Sequence, residues 1–138
     1  VLLVLPNEIQ ETLVQKLAEV LKPDFILLFG SFAQNRERED SDLDLAYYSS
    51  RKLTDYERFL LSGELADLCG RDVDLVDLNE VDTIFAAQIF STGILLSCQN
   101  ESEFIKQRMK VYSMYATLNE QRAEILENIK NRGSVFGE

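Results

Sequence analysis

A chain of 138 residues with 46% hydrophobic and 28% charged side chains has the size and composition of one ordinary globular domain, able to bury about two thirds of its unfolded surface without disulfides or a structural metal. Its formal net charge of −10 repels polyanions and argues against direct nucleic-acid binding; the small basic cluster of Lys106, Arg108 and Lys110 reads as a solvated helix face. The absence of histidine excludes Ser-His-Asp and Cys-His nucleophile systems and the usual imidazole zinc sites, leaving carboxylates, hydroxyls, lysine, arginine and a hard metal to carry any chemistry.

The opening VLLVL is too short for a signal-peptide core, and no apolar run approaches a membrane span, so a cytoplasmic protein without a membrane partner is expected. Asn7 with Gln10 has the spacing of a capping box, and Ile9, Leu13, Leu17, Val20 and Leu21 recur at helical spacing until Pro23. A first helix over about residues 8–21 follows. Residues 25–29 form a continuous apolar run of strand length, suited to burial on both faces, that ends at Gly30.

The next stretch, 31–41, is rich in charge and reads as a presenting loop, with room for a helical turn or two from Ser31. Strand character resumes over 43–48, where alternation sets Asp42 and Asp44 on one face and Leu43 and Leu45 on the other. Thr54 with Glu57 is a second capping-box pattern; the apolar stripe of Phe59, Leu60, Leu61, Leu65, Ala66 and Leu68 then predicts a helix ending before Gly70.

A third strand is predicted over 73–78, with Asp72, Asp74 and Val76 on one face and Val73, Leu75 and Asp77 on the other. Asn79 is expected to cap a helix through about residue 90 that buries Ile84, Phe85, Ile89 and Phe90, before Gly93 and a short apolar run over 94–96. From residue 102 nearly to 133 the pattern is helical. Its apolar contacts are expected from Ile105, Met109, Tyr112, Met114, Tyr115, Leu118, Ile125, Leu126 and Ile129, on a helix long enough to overhang the core. Cys69 and Cys98, in no CxxC pairing, are expected to be small buried thiols.

Three strands alternating with helices predict an α/β domain with helices packed on a central sheet; strand order does not follow from these patterns. A core of about residues 8–97 with a helical extension over about 101–132 makes one domain of 1–138.

Two carboxylates about 4 Å apart repel by roughly 1 kcal/mol in bulk water and about 4 kcal/mol at an effective dielectric near 20. A cation relieves that repulsion, and magnesium suits a pair such as Asp42 and Asp44 because it takes one or two carboxylates together with water and substrate phosphates. Asp74, flanked by Val73, Leu75 and Val76 inside the third strand, is the best third member, with Asp72 as the fallback; a third carboxylate allows a second ion and deprotonation of an attacking hydroxyl. Gly30 permits close approach of a phosphate, and Ser31 can donate an N–H and a hydroxyl. Singly each fragment is common in turns and solvated strand faces, but strand, Gly-Ser, polar spacer, Asp-x-Asp and a third-strand Asp together point to a nucleotide-metal site. An EF-hand over Asp40, Asp42 and Asp44 fails, since Leu45 and Arg51 stand where glycine and glutamate are needed.

At Gly30-Ser31, the ten-residue gap, Asp42-Leu43-Asp44 and Asp74, the chain resembles the nucleotidyltransferase superfamily related to DNA polymerase β, in particular the minimal nucleotidyltransferases paired with HEPN toxins. The resemblance implies an α/β (α+β) fold, a small mixed β-sheet flanked by helices. It also implies transfer of AMP from ATP, with Mg2+ at a site for two ions, to a tyrosine hydroxyl of a cognate HEPN ribonuclease toxin. Silencing of that toxin would make this chain the antitoxin. Many relatives follow the Gly-Ser with Arg-Gly where this chain has Gln34-Asn35; Arg36 and Arg38 are the cations that could reach the phosphates instead, although both also read as solvated loop charge. Two alternatives remain open: a nucleotidyltransferase for a small molecule such as an antibiotic, and an antitoxin that acts by binding alone.

Overall fold

The structure is a computed structural model that describes residues 5–38 and 41–136, with side chains described as far as residue 132. Helix α1 (Asn7–Leu21) buries Leu13, Leu17 and Leu21 at the expected spacing. The capping box expected at Asn7 does not form. Pro6 takes the N-cap position, which draws Asn7 into the first turn, and the Gln10 amide donates instead to the Leu5 carbonyl at 2.8 Å.

Strand β1 (Phe25–Phe29) is buried along its whole length, as an apolar run without alternation requires. It is followed by β2 (Leu43–Tyr48), by α2 (Asp55–Cys69), whose Thr54 and Glu57 make the reciprocal capping box, and by β3 (Val73–Asp77). Gly70 ends α2 in the left-handed conformation, φ +75°, which suits glycine.

Helix α3 (Thr83–Thr92) starts later than expected, with Asp82 as its cap, accepting from the Phe85 N–H at 2.7 Å. Asn79 lies outside the helix, where its side-chain amide N–H donates to the Ser49 carbonyl and ties the end of β3 to the end of β2. The short run after Gly93 proves to be a fourth strand, β4 (Ile94–Cys98), where three strands were expected. Helix α4 (Glu101–Phe136) completes the chain.

Among the described residues these four strands form one sheet in the order β3-β2-β1-β4. β1 is antiparallel to both β2 and β4, while β2 and β3 run parallel. The sheet is therefore mixed, with helices on both faces. Leu43, Leu45, Tyr47, Val73 and Leu75 pack with α1 and α2 on one side; Phe25, Leu27, Phe29 and Ala46 pack with Ile89, Phe90 and Phe104 of α3 and α4 on the other. The Phe25 ring makes an edge contact with Phe104 at 5.0 Å, which fixes where α4 leaves the sheet.

Several apolar side chains assigned to packing from periodicity lie outside the core. On α2 only Leu61 and Leu65 are buried, with Phe59, Leu60 and Leu68 exposed, and on α3 Ile84 is exposed. On α4 every apolar residue expected to pack, from Ile105 to Ile129, is exposed. The core simply ends: α4 meets α3 near its start, where Tyr112 still touches the Phe90 ring, and each residue over 112–132 is exposed. Cys69 and Cys98 are free and only partly buried.

Candidate active site

The site is built where β1 ends beside the start of β2. Asp44 is the second residue of β2, directly across from Phe29 on one side and in register with Asp74 of β3 on the other. The chain leaves β1 through Gly30 in the left-handed region, φ +74°, and a Cβ at that position would lie 2.1 Å from the Asp44 Oδ2. The Asp44 carboxylate thus occupies the space that a side chain at residue 30 would need. Two independent requirements, positive φ and close approach, select glycine here.

Beyond Gly30 the backbone closes a single helical-type turn, with the Gln34 N–H donating to the Gly30 carbonyl at 3.1 Å and the Arg36 N–H to the Ser31 carbonyl at 2.8 Å. Phe32 anchors this turn in the core, a contact hidden in a segment whose composition reads as a polar loop. Asn35 sits at φ +59°, and asparagine is the side chain after glycine that best tolerates that conformation. Among the described residues the Ser31 N–H and hydroxyl have no protein partner, so both are available to an anion.

The remainder of the loop is held by Arg71, which precedes β3. Its guanidinium lies over the Phe32 ring, 4.7 Å from the centroid, and donates to the carbonyls of Ser41 at 2.9 Å and Arg38 at 3.4 Å. Asp42 follows Ser41 directly, so Arg71 positions the first aspartate of the pair through the backbone. No sequence motif singles out Arg71. Its only signal is adjacency to the third-strand carboxylates.

Asp44 is half-buried, whereas Asp42 and Asp74 are exposed. Burial, followed by the charges of Asp74 and then Asp42, pushes the Asp44 carboxyl up from 3.8 to about 6. Asp44 thus feels the charge of both other aspartates. Among the described residues, however, no trio of acidic or cysteine side chains converges closely enough to enclose a metal by itself. Arg36 and Arg38 are both exposed, and among the described residues neither side chain makes a hydrogen bond or ion pair. A separate cleft of about 470 Å³ lies at the opposite end of the sheet, lined by Asp24, Tyr48, Arg51, Asp77 and Glu103, away from this constellation.

Residues 7–102 match the family model described as Polymerase beta, Nucleotidyltransferase, which is more than half of the chain. The chain belongs to this nucleotidyltransferase family. It is 33% identical over 109 residues, 78% of this chain and 77% of the relative, to the protein adenylyltransferase MntA of Shewanella oneidensis. Among solved structures, one of a toxin–antitoxin with AMP-PNP superposes with a TM-score of 0.78 at 29% identity, covering 88% of this chain and 98% of the other. A second, a tri-AMPylated Shewanella oneidensis HEPN toxin in complex with its MNT antitoxin, gives 0.73 at 27% identity, covering 89% and 97%.

As a member of the family the chain is a nucleotidyltransferase, and its four-stranded mixed sheet with a long final helix is the family's fold. At Gln34-Asn35, where the resemblance led to the expectation of Arg-Gly, Asn35 closes the turn in the left-handed conformation. Among the described residues no helix is long and apolar enough to cross a membrane.

Proposed function

We propose that this nucleotidyltransferase transfers AMP from ATP to a tyrosine hydroxyl of a cognate HEPN toxin and thereby acts as its antitoxin. The observation that carries the proposal is the arrangement of Asp44, whose carboxylate is pressed against Gly30 and pushed up by burial and by the charges of two further aspartates, beside the N–H and hydroxyl of Ser31, unpartnered among the described residues. The similarity to a protein adenylyltransferase and to complexes with a HEPN toxin supplies the acceptor class.

Hard carboxylate oxygens, with Asp44 pushed up by burial and then by its acidic neighbours, fit magnesium, which needs only one or two carboxylates when phosphate and water complete its shell. Asp42 and Asp44 would hold it, with Asp74 completing the set. When bound, it supplies charge neutralisation on the triphosphate and on the departing pyrophosphate. Gly30 and Ser31 bind the phosphates through the backbone and the hydroxyl. The tyrosine oxygen attacks the α-phosphorus; that P–O bond forms, the bond to the bridging oxygen breaks with its electron pair leaving on pyrophosphate, and the phenolic proton passes to Asp74.

Intact-mass measurement of the HEPN partner co-expressed with wild type should show AMP-sized increments, absent with Asp44→Asn. Undiminished increments with that variant would refute the site. The exposed apolar residues of α4 favour a second reading, neutralisation by binding alone. It would prevail if Asp44→Asn transferred nothing and still protected cells.

A further inference from the structure

Alternation along β2 sets Asp44 on the same face of the sheet as Ala46, and alternation along β3 sets Asp74 on the same face as Val76. That is the face α3 covers. Phe29, directly across from Asp44 in the ladder of β1 and β2, shares it, and opposed side chains of an antiparallel pair have Cβ atoms only about 4.5–5.5 Å apart. The Phe29 ring in turn meets Phe85, in the first turn of α3, with centroids 5.7 Å apart and planes at 81°. An aromatic pair therefore stands immediately beside the central aspartate.

The two rings are not equally used by the core. Phe29 is buried, whereas Phe85 is only half-buried, although Ala86, Ala87, Ile89 and Phe90 of the same short helix are all buried. An edge-to-face contact occupies at most one face of one of its rings, so Phe29 leaves Phe85 with a ring face to offer. Val76, next to Asp74 along that face, is half-buried too and packs on the same apolar cluster. The ground around the carboxylates on this face is thus apolar and partly open.

Position decides which reactant meets this ring. Across the strands the order is Asp74, Asp44, Phe29, with Phe85 packed on Phe29 and the phosphate-holding Gly30-Ser31 continuing the chain from it. In the reaction proposed above the acceptor oxygen gives its proton to Asp74 and so stands on the β3 side. Phe85 stands on the other side, with the phosphate turn. A nucleotide whose terminal phosphates lie on Ser31 and whose α-phosphate lies at Asp44 carries its base one ribose away, within reach of Phe85.

Resting on the reading of this site as that of an ATP-using nucleotidyltransferase, we infer that Phe85 is a specificity-determining residue whose ring stacks the base of the donor nucleotide, with Val76 beside it. Every base has a π-face, so stacking holds any of them, and the larger purine covers more of the ring. The shelf therefore favours purine over pyrimidine triphosphates. Phenylalanine and valine side chains carry no hydrogen-bonding group, so the shelf by itself does not separate adenine from guanine.

The test is calorimetric titration of ATP, CTP and inorganic tripolyphosphate, each with magnesium and with no acceptor present, into wild type, Phe85→Ala, Phe85→Leu and Phe85→Tyr. Phe85→Leu keeps an apolar side chain against Phe29 and removes the π-face, so it should fold even if Phe85→Ala does not. Phe85→Tyr keeps the ring.

Wild type should bind ATP several-fold more tightly than CTP. ATP affinity should fall about tenfold in Phe85→Ala and Phe85→Leu, bringing ATP and CTP close together, while tripolyphosphate affinity is unchanged and Phe85→Tyr binds as wild type does. Wild-type ATP affinity in Phe85→Leu would overturn the inference, as would equal affinity of wild type for ATP and CTP. Equal losses of ATP and tripolyphosphate affinity in Phe85→Leu would show a merely structural role for the ring and overturn it as well. If wild type binds ATP with the expected preference and transfers nothing to the HEPN partner, the proposed function falls and the shelf stands.

Discussion

Replacing Asp44 by asparagine removes the charge that the fold holds against its own electrostatics, and the structure gives the size of the effect. A carboxyl raised from 3.8 to about 6 destabilises the native state in its ionised form, with a ceiling of about 3 kcal/mol. The side chain is half-exposed and water screens it, so about 1–1.5 kcal/mol is the working figure. The sign follows from proton uptake. Between pH 4 and 6 the native state binds more protons at this group than the unfolded chain does, so its contribution falls as pH rises and the full penalty stands above pH 6. Thermal melts in chelator at pH 7.5 should place Asp44→Asn about 3–5 °C above wild type, with the gap closing as pH falls to 4. Magnesium with ATP should then raise the wild-type melting temperature and leave the variant where it was. A variant no more stable than wild type at pH 7.5, or a gap unchanged at pH 4, would refute the account of Asp44 as a strained, ligand-ready carboxylate.

Gly30→Ala should cost roughly 2 kcal/mol by denaturant titration, because the new methyl group meets both the left-handed backbone and the Asp44 oxygen. Combined with Asp44→Ala the two costs should be clearly less than additive, since the second change vacates the space the first one fills. Arg71→Ala frees the segment ahead of Asp42 and should lower the transfer rate at least tenfold with a melting loss of only a few degrees; Arg71→Lys, which keeps charge but not the planar fork, should restore little. Deleting residues 119–138 should leave the melting temperature within about 2 °C, because no described side chain over 119–132 reaches the core.

The elements read correctly from sequence are those whose signals are local. β1 and β2 follow from an unbroken apolar run and from strict alternation, and the start and end of α2 from a capping box and a glycine with positive φ. β4 was missed as a strand because a run as short as Ile94 to Leu96 carries no period of its own and becomes a strand only by pairing with β1. Asn79 and Asp82 are equally good caps in isolation, and the structure places the cap at Asp82 while Asn79 bonds to Ser49, thirty residues earlier.

Within the candidate site, spacing proposes Gly30, Asp44 and Asp74, and the register across β1, β2 and β3 sets them side by side. Spacing does not find Phe32 and Arg71, since a lone aromatic in a polar loop and a lone arginine before a strand have meaning only through their mutual contact. The exposed faces of α2 and α4 mark a different limit. Hydrophobic periodicity reports that a face avoids water, and it is blind to whether the cover is the chain's own core or another molecule.

Helix α4 carries a consequence for how such a protein can change over generations. Its 36 residues extend about 54 Å, and those beyond Val111 lend no buried side chain to the domain beneath. Substitutions along the arm are therefore nearly invisible to the folding of the catalytic half, whereas those in β1 or β2 are felt at once. Selection on whatever the arm touches can proceed without destabilising the chemistry, so the two halves of this small chain are free to drift at different rates.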